Sequence, residues 1–523
     1  MNSIRMKIFT YVFILFLFLS SSFLLFFRLG SYPNGLYNWE NYTIWRIYQR
    51  QNAELTPPID NYLYITQGLM TDSGLSPFLV IPIEIISNNF GMNLFTLRAW
   101  SAFVGVITVL AFFFFTNKMF GVKVASFASV YLLFAPSFLT YMRTGTNVGI
   151  SLLPSIITIY LIYKVWKKKH IITSSFLLIA LLAINSYFYA PIRFLLILSI
   201  FILVPRLLYL KLAFIRKLHK GLLASLLLIF CVSIGLFFLS NTSLTTSYFH
   251  GRGEQIVTMY GERPDLKERG ANALITLLSD NVTSLVKIYL DIGTTPSIVD
   301  FWNPKGQIIN IFLVPFLLIG IFVALRKIKK INYLLLLLWF VFTTAPIILT
   351  NNVHIGRLFF SLAPMFIFVG IGIERVLHLL KFVFRFKIAY LPLVIAVAFS
   401  LYWQVKPYYQ DILTLDNFVS ADTLKSAGIE NSDVYLFNPD GESLKFWIAY
   451  FYLRDIYKFE NLKDVNRELV GNKDSNFKAY FLETNATSED IFKYCNQNSL
   501  PVILVGANQQ NIGFACRNKL LQI

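Results

Sequence analysis

Charge is scarce in this chain. Of its 523 residues only 14% are Asp, Glu, Lys or Arg, whereas 56% are hydrophobic, and the mean hydropathy is +0.59. A soluble protein of this length needs far more charge to cover its surface, so that class is excluded. Carboxylates are nearly absent from the middles of the apolar runs. Ion-coupled transporters and proton pumps carry such carboxylates as relays, so their scarcity argues against that class. Cysteine is also rare, with three residues. Cys231 falls inside an apolar run and reads as a small buried hydrophobe. Cys495 and Cys516 fall in a polar tail, where a disulfide and two free thiols are equally allowed. No Gly-rich phosphate loop, metal-ligand spacing or internal repeat is visible.

What the chain has instead is repeated apolar runs of about 20 residues, the length that carries a helix across a bilayer's hydrocarbon core. The runs are continuous rather than alternating, which selects helices over a barrel. The first, Ile8–Phe27, follows a short basic N-terminus and has no small-residue cleavage site after it. It reads as a retained helix with its N-terminus in the cytoplasm. Further spans are expected near Leu97–Thr116, Val122–Tyr141, Val148–Tyr163, Ile171–Phe188, Ile192–Val204, Leu222–Leu239, Ile308–Leu325, Ile331–Leu349, Leu358–Ile373 and Ile388–Trp403. That makes about eleven, with ends uncertain by a few residues. Two semi-polar loops interrupt them, 28–96 and 240–304. Phe78–Ile86 (FLVIPIEII), broken by Pro82, is expected to lie on the membrane surface.

The net charge of +18 is a topology signal rather than a nucleic-acid footprint. Lys118 and Lys123, Lys164–Lys169, Arg206–Lys220, Arg326–Lys330 and Arg375–Lys387 all fall on one side of the expected topology. By the positive-inside rule that side is the cytoplasm, which puts both long loops and the C-terminal tail outside. The tail alternates short apolar runs (DVYLF at 433–437, KAYFL at 478–482, PVILV at 501–505) with helical patterns at 442–453 and 488–496. It is expected to form a small α/β domain over 406–523.

Polar candidates cluster at the outer ends of spans. Glu40 sits in PNGLYNWENYTIW (33–45), flanked by Tyr37, Trp39 and Tyr42. It is either a general base for an acceptor hydroxyl or a solvated carboxylate beside interfacial aromatics. Arg98, Arg143, Arg193, His354 and Arg357 stand at the ends of different spans. They either hold a lipid-linked phosphate, for which arginine's planar fork is shaped, or are ordinary snorkelling side chains. HGRGEQ (250–255) and GERPDLKERG (261–270) read as a substrate-gating loop or a solvated connector. Sequons at Asn41, Asn241, Asn281 and Asn485 all fall on the outer side.

In order along the chain, P-x-G-L-Y followed by Trp39-Glu40, S-P-F-L…N-F-G…LRAWSA (76–102), the Phe120-Gly121 turn, AP…R-x-G (135–145), NSYFYAPIR and GRLFFSLAP (356–364) resemble the GT-C class of polytopic glycosyltransferases. The nearest group is that of the protein O-mannosyltransferases and aminoarabinose transferases. The resemblance implies an α-helical membrane domain over 1–405 and a polyprenyl-phosphate sugar as donor, with no cofactor or metal identified. It also implies an active site in the first outer loop and a glycan, lipid or protein acceptor. Members carry an Asp-Glu pair in that loop; here Trp39 stands at the Asp position and only Glu40 remains. Glu40 or Asp60, with Asp72 a further possibility, is then the expected catalytic carboxylate. Arg143, Arg193, His354 and Arg357 are the expected phosphate ligands, and Trp39 the expected sugar contact. A non-catalytic lipid-glycan binding protein of the same fold is the alternative, and a lipid-glycan flippase a third reading. The expected location is the cell membrane, with the N-terminus cytoplasmic and the C-terminal domain extracytoplasmic.

Overall fold

The computed structural model describes residues 2–30, 40, 43–44, 47, 76–167, 171–185, 188, 192, 194–203, 271–290, 308–348, 355–383, 398–399, 401–403, 433–437, 478–482, 502–507 and 510–516. The expected span 222–239, the tail helices at 442–453 and 488–496, and the two Gly- and charge-rich stretches of the second loop lie outside these residues. The chain divides into two compact units: residues 1–27, 62–79 and 101–411, and residues 28–61, 80–100 and 412–523.

The described helices are α1 (Asn2–Phe26), α2 (Pro77–Phe90), α3 (Leu94–Phe120), α4 (Val122–Leu133), α5 (Pro136–Met142), α6 (Asn147–Ile150), α7 (Leu152–Trp166) and α8 (Ile171–Asn185). They continue with α9 (Phe194–Leu203), α10 (Ala271–Leu290), α11 (Val314–Arg326), α12 (Ile331–Ile348), α13 (Ile355–Leu358) and α14 (Leu362–Val383). Among the described residues, four helices are long and apolar enough to cross a membrane: Ile8–Phe26, Leu94–Phe120, Asn147–Trp166 and Gly356–Leu380. A bent pair, α4 with α5, raises the number to five if it is one span. The protein is a multi-pass membrane protein.

The centre of the first unit is α14. Met365 to Val369 are all buried in succession, as are Ile371 and Ile373. A helix apolar and buried all round is one enclosed by other helices. It packs against α11 and α4. The approach to α11 is backbone to backbone, and it is reciprocal. A Cβ on Gly320 would collide with the Phe368 carbonyl, and one on Gly372 with the Phe316 carbonyl. Without a hydrophobic force between helices in lipid, such close small-residue contacts are what holds spans together. By contrast α1 is peripheral. Leu17, Ser21 and Leu25, four positions apart, are buried, while Phe9, Phe16 and Phe23 are exposed. One narrow face meets the bundle and the rest suits acyl chains.

Two expectations change. Val122–Tyr141 is not one straight span. It breaks at Phe134–Ala135 and bends by 64°. Pro136 opens α5, and Ala135 before it is extended at φ −69°, ψ 127°, since a residue preceding proline is pushed out of the α region. Residues 271–290 of the second loop form a 20-residue helix, α10, which packs on α12. Its Asn281 is buried and donates to the Ile348 carbonyl at 2.9 Å, so that sequon is a packing residue. FLVIPIEII lies within α2, a helix that contains Pro82 and extends to Phe90. Ser76 caps it: its hydroxyl accepts the Phe78 amide at 3.2 Å, ahead of Pro77 at the first helical position.

In the tail, β1 (Asp433–Phe437) and β2 (Lys478–Leu482) pair in parallel, Asp433 opposite Lys478. β3 (Val502–Ala507) and β4 (Gln510–Cys516) form an antiparallel hairpin, Val502 opposite Cys516, with an irregularity after Val505. β4 was not expected from the sequence. Cys495 lies outside the described residues.

Candidate functional site

In the first unit, polar groups concentrate where the bent pair ends. The segment Arg143–Ser151 (RTGTNVGIS) is buried throughout, although it includes a non-helical turn. Irregular backbone is tolerated among spans only where protein or a wet cavity satisfies it, and here side chains do much of that. The Thr144 hydroxyl donates to the Thr140 carbonyl at 3.1 Å, and that of Ser151 to the Asn147 carbonyl at 2.5 Å. The Asn147 side-chain oxygen accepts the Ser76 amide at 2.8 Å, tying the turn to the entry of α2.

Arg143 is 1% exposed. Its guanidinium donates to the carbonyls of Leu24 and Phe27, which lie at the C-terminal end of α1. Carbonyls at a helix C-terminus lie beyond the intrahelical ladder, and a cation there also complements the helix dipole. Tyr141, two residues earlier, has its hydroxyl against Gly356: a Cβ there would lie 2.7 Å from the phenolic oxygen. Its ring meets Phe359 edge-on at 4.9 Å. The structure therefore brings the segment of Arg143 together with that of Arg357, which is half-buried in α13. Below α13, Tyr289 of α10 shares hydrogen bonds with the hydroxyls of Ser361, 2.7 Å away, and Thr344, 3.3 Å away. Ser361 in turn donates to the Leu358 carbonyl at 2.6 Å. Helix α10 is not among the helices apolar enough to span, and burial pushes its Tyr289 phenol up to about 12. It is a protonated donor at any working pH.

In the second unit, Glu40 is not solvated. It is 0% exposed, as is Arg98 of α3. Arg98 Nε donates to Glu40 Oε1 at 2.7 Å and Nη2 to Oε2 at 3.0 Å, a fork-to-fork pair. Arg98 Nη1 lies 3.5 Å from the Leu29 carbonyl. Glu40, Thr43, Ile44 and Ile47 are helical and all buried, and their i, i+3, i+4, i+7 spacing marks one inward face. Trp39, Asp60, Asp72, Arg193 and His354 lie outside the described residues. Among the described residues no group of three or more His, Cys, Asp or Glu gathers to hold a metal.

No known protein family matches the sequence, and no curated protein does either. Solved structures do match. ArnT from Cupriavidus metallidurans, bound to undecaprenyl phosphate, aligns with a TM-score of 0.55 over 97% of both chains at 10% identity. The apo state of the same protein aligns with a TM-score of 0.55 over 98% of both. The archaeal oligosaccharyltransferase AglB from Archaeoglobus fulgidus, in complex with an inhibitory peptide and a dolichol-phosphate, aligns at 0.49 over 90% of this chain and 62% of that one, with 13% identity. The chain has the GT-C fold. At 10% identity the likeness to ArnT is one of architecture.

Tyr289, Thr344, Ser361 and Asn147 were not singled out by sequence reasoning. Their contacts are formed across long separations, and each is an ordinary hydroxyl or amide in the sequence. Arg98 and Glu40 were both singled out, but not as partners of each other. The one available signal was that a carboxylate cannot be buried without a cation.

Proposed function

We propose that this protein is an integral-membrane glycosyltransferase that moves a sugar from a polyprenyl-phosphate donor to an acceptor at the outer face of the cell membrane. The observation that carries it is the end-to-end fold match to ArnT, which was solved bound to undecaprenyl phosphate. In this reading a carboxylate of the loop 28–96, Glu40 or Asp60, serves deprotonation of the acceptor. Arg143, Arg193, His354 and Arg357 hold the donor phosphate, whose charge grows as the glycosidic bond breaks, and positioned cations stabilise that change. Trp39 stacks on the sugar. The N-terminus is cytoplasmic and the C-terminal domain extracytoplasmic, and the acceptor is a glycan, lipid or protein of the cell envelope.

The test is release of free polyprenyl phosphate by the purified protein in lipid, from a panel of polyprenyl-phosphate sugars with cell-envelope extract as acceptor. Release that falls in Asp60→Asn or Glu40→Gln supports the reading. A second reading, a non-catalytic lipid-glycan binding protein, is favoured by Trp39 at the acidic position and by the engagement of both Glu40 oxygens with Arg98. Donor binding without release across the panel would establish it instead.

A further inference from the structure

We propose that Tyr141 is a positioning residue: a strut that fixes Arg357 against the turn beginning at Arg143, and so sets the spacing of the seat for the donor's phosphate. The seat rests on the transferase reading; the strut itself does not.

Three observations carry it. First, Tyr141 is held at both ends by glycines. At its main chain, a Cβ on Gly149 would collide with the Tyr141 carbonyl. At its tip, a Cβ on Gly356 would lie 2.7 Å from the phenolic oxygen. Between the two ends the side chain is buried, and its ring meets Phe359 edge-on at 4.9 Å. A tyrosine has only two side-chain torsions and a rigid ring, so one held in this way transmits a distance.

Second, each end leads to an arginine. The Arg143 amide donates to the carbonyls of Leu139 at 3.0 Å and Thr140 at 3.2 Å, so Arg143 continues the turn that carries Tyr141. Its guanidinium is tied to the end of α1. Arg357 follows Gly356 directly and is half-buried, whereas Arg143 is sealed. A change at the tyrosine tip therefore moves Arg357 relative to a fixed reference.

Third, packing alone does not select the contact at the tip. Glycine gives up more chain entropy on folding than alanine does. Phenylalanine against alanine would fill the same space without that cost. With the oxygen gone, the nearest ring atom, Cζ, would stand 3.5 Å from the new Cβ, an ordinary contact distance. The hydroxyl on one side and the missing methyl on the other compensate each other.

The experiment uses the full chain in lipid nanodiscs. It compares wild type with Gly356→Ala, Tyr141→Phe, the double variant Tyr141→Phe/Gly356→Ala, and Gly370→Ala. The last is the control: its Cβ would lie 2.7 Å from the Val124 carbonyl, where α14 packs on α4. One readout is the thermal unfolding midpoint, which needs no ligand. The other is the affinity for undecaprenyl phosphate or dolichyl phosphate, whichever wild type binds. The strut predicts that Gly356→Ala lowers the midpoint and that the double variant recovers most of the loss. Either single substitution should weaken binding by about tenfold, as losing one charge-assisted contact does. The double variant should bind within about threefold of wild type, because the two changes are coupled. Gly370→Ala should lower the midpoint and leave the affinity unchanged. Wild-type binding by Tyr141→Phe would overturn the strut. So would a double variant no better than the worse single, since the hydroxyl would then serve the ligand directly. A loss of affinity in Gly370→Ala equal to that in Gly356→Ala would show that binding follows stability alone, and would overturn it too. Should wild type bind neither lipid, the transferase reading fails and the seat with it, and the midpoints still decide the strut. Should Gly356→Ala fail to fold, the double variant is set against Tyr141→Phe: the strut requires the added methyl to restore binding, and a methyl that weakens it further overturns the proposal.

Discussion

Arg98 and Arg143 are both sealed from solvent, at 0% and 1% exposure, yet they are neutralised in different ways. Arg98 faces a carboxylate through two parallel hydrogen bonds. Arg143 faces main-chain carbonyls at the end of α1. The first arrangement pairs two charges, each of which is stranded if the other is removed. The second places one charge against a helix terminus, whose partial charges are shared among several peptide groups. The position of a basic residue at a helix end does not distinguish the two; the partner does.

That contrast can be broken experimentally. The largest expected effect is Arg98→Gln, which leaves an uncompensated buried carboxylate. It should destabilise the protein by about 3–5 kcal/mol, read as the shift in unfolding midpoint in nanodiscs. A loss no greater than that of an exposed arginine would show that Glu40 escapes to solvent. Arg143→Gln removes two charge-assisted hydrogen bonds but strands no opposite charge. A cost of about 2–3 kcal/mol is expected, together with faster amide exchange at the last turn of α1. Equal costs for the two arginines would erase the distinction drawn here.

Tyr289→Phe provides the uncharged reference, since it removes a phenol shared between Ser361 and Thr344. Its expected cost is about 1 kcal/mol. It also carries a pH signature. The phenol is raised from 10.0 to about 12, so the folded state keeps its proton where the unfolded chain would lose it. The stabilisation is full below pH 10 and is lost as pH rises towards 12, because the folded state binds more protons in that window. Unfolding midpoints of wild type should therefore fall faster between about pH 10 and 12 than those of Tyr289→Phe. Parallel curves would mean that the hydroxyl ionises freely.

The sequence discloses what depends on local composition. The candidate spans Ile8–Phe26, Leu94–Phe120 and Asn147–Trp166 all fall where apolar runs predict them, because crossing hydrocarbon demands length and little else. The strands at 433–437 and 478–482 follow from β-branched and aromatic runs. β4 escaped because QNIGFAC contains an amide-rich start and a glycine, and its partner rather than its composition makes it a strand. The bend in the third apolar run was visible in Pro136, but a hydropathy reading sums over proline without registering direction. Helix α10 escaped for the opposite reason: Asp280 and Lys287 lower its hydropathy, while Asn281 and Tyr289 have hydrogen-bond partners that lie far later in the chain, at Ile348 and Ser361. Glu40 was readable as important and not as buried, since the side chain that permits its burial stands 58 residues away.

The 64° break between α4 and α5 has a consequence for depth. Seven residues of straight helix would advance about 10 Å along the axis of α4. Turned by that angle, α5 advances by less than half as much and spends the remainder moving sideways. The threonine- and asparagine-bearing turn that follows is thus delivered several ångströms short of where an unbroken rod would have left it, and it stays embedded in protein. One imino acid at position 136 sets how far into the molecule a polar stretch of main chain is stationed. Relocating that proline by a turn in either direction would shift the station without altering any of the groups it carries.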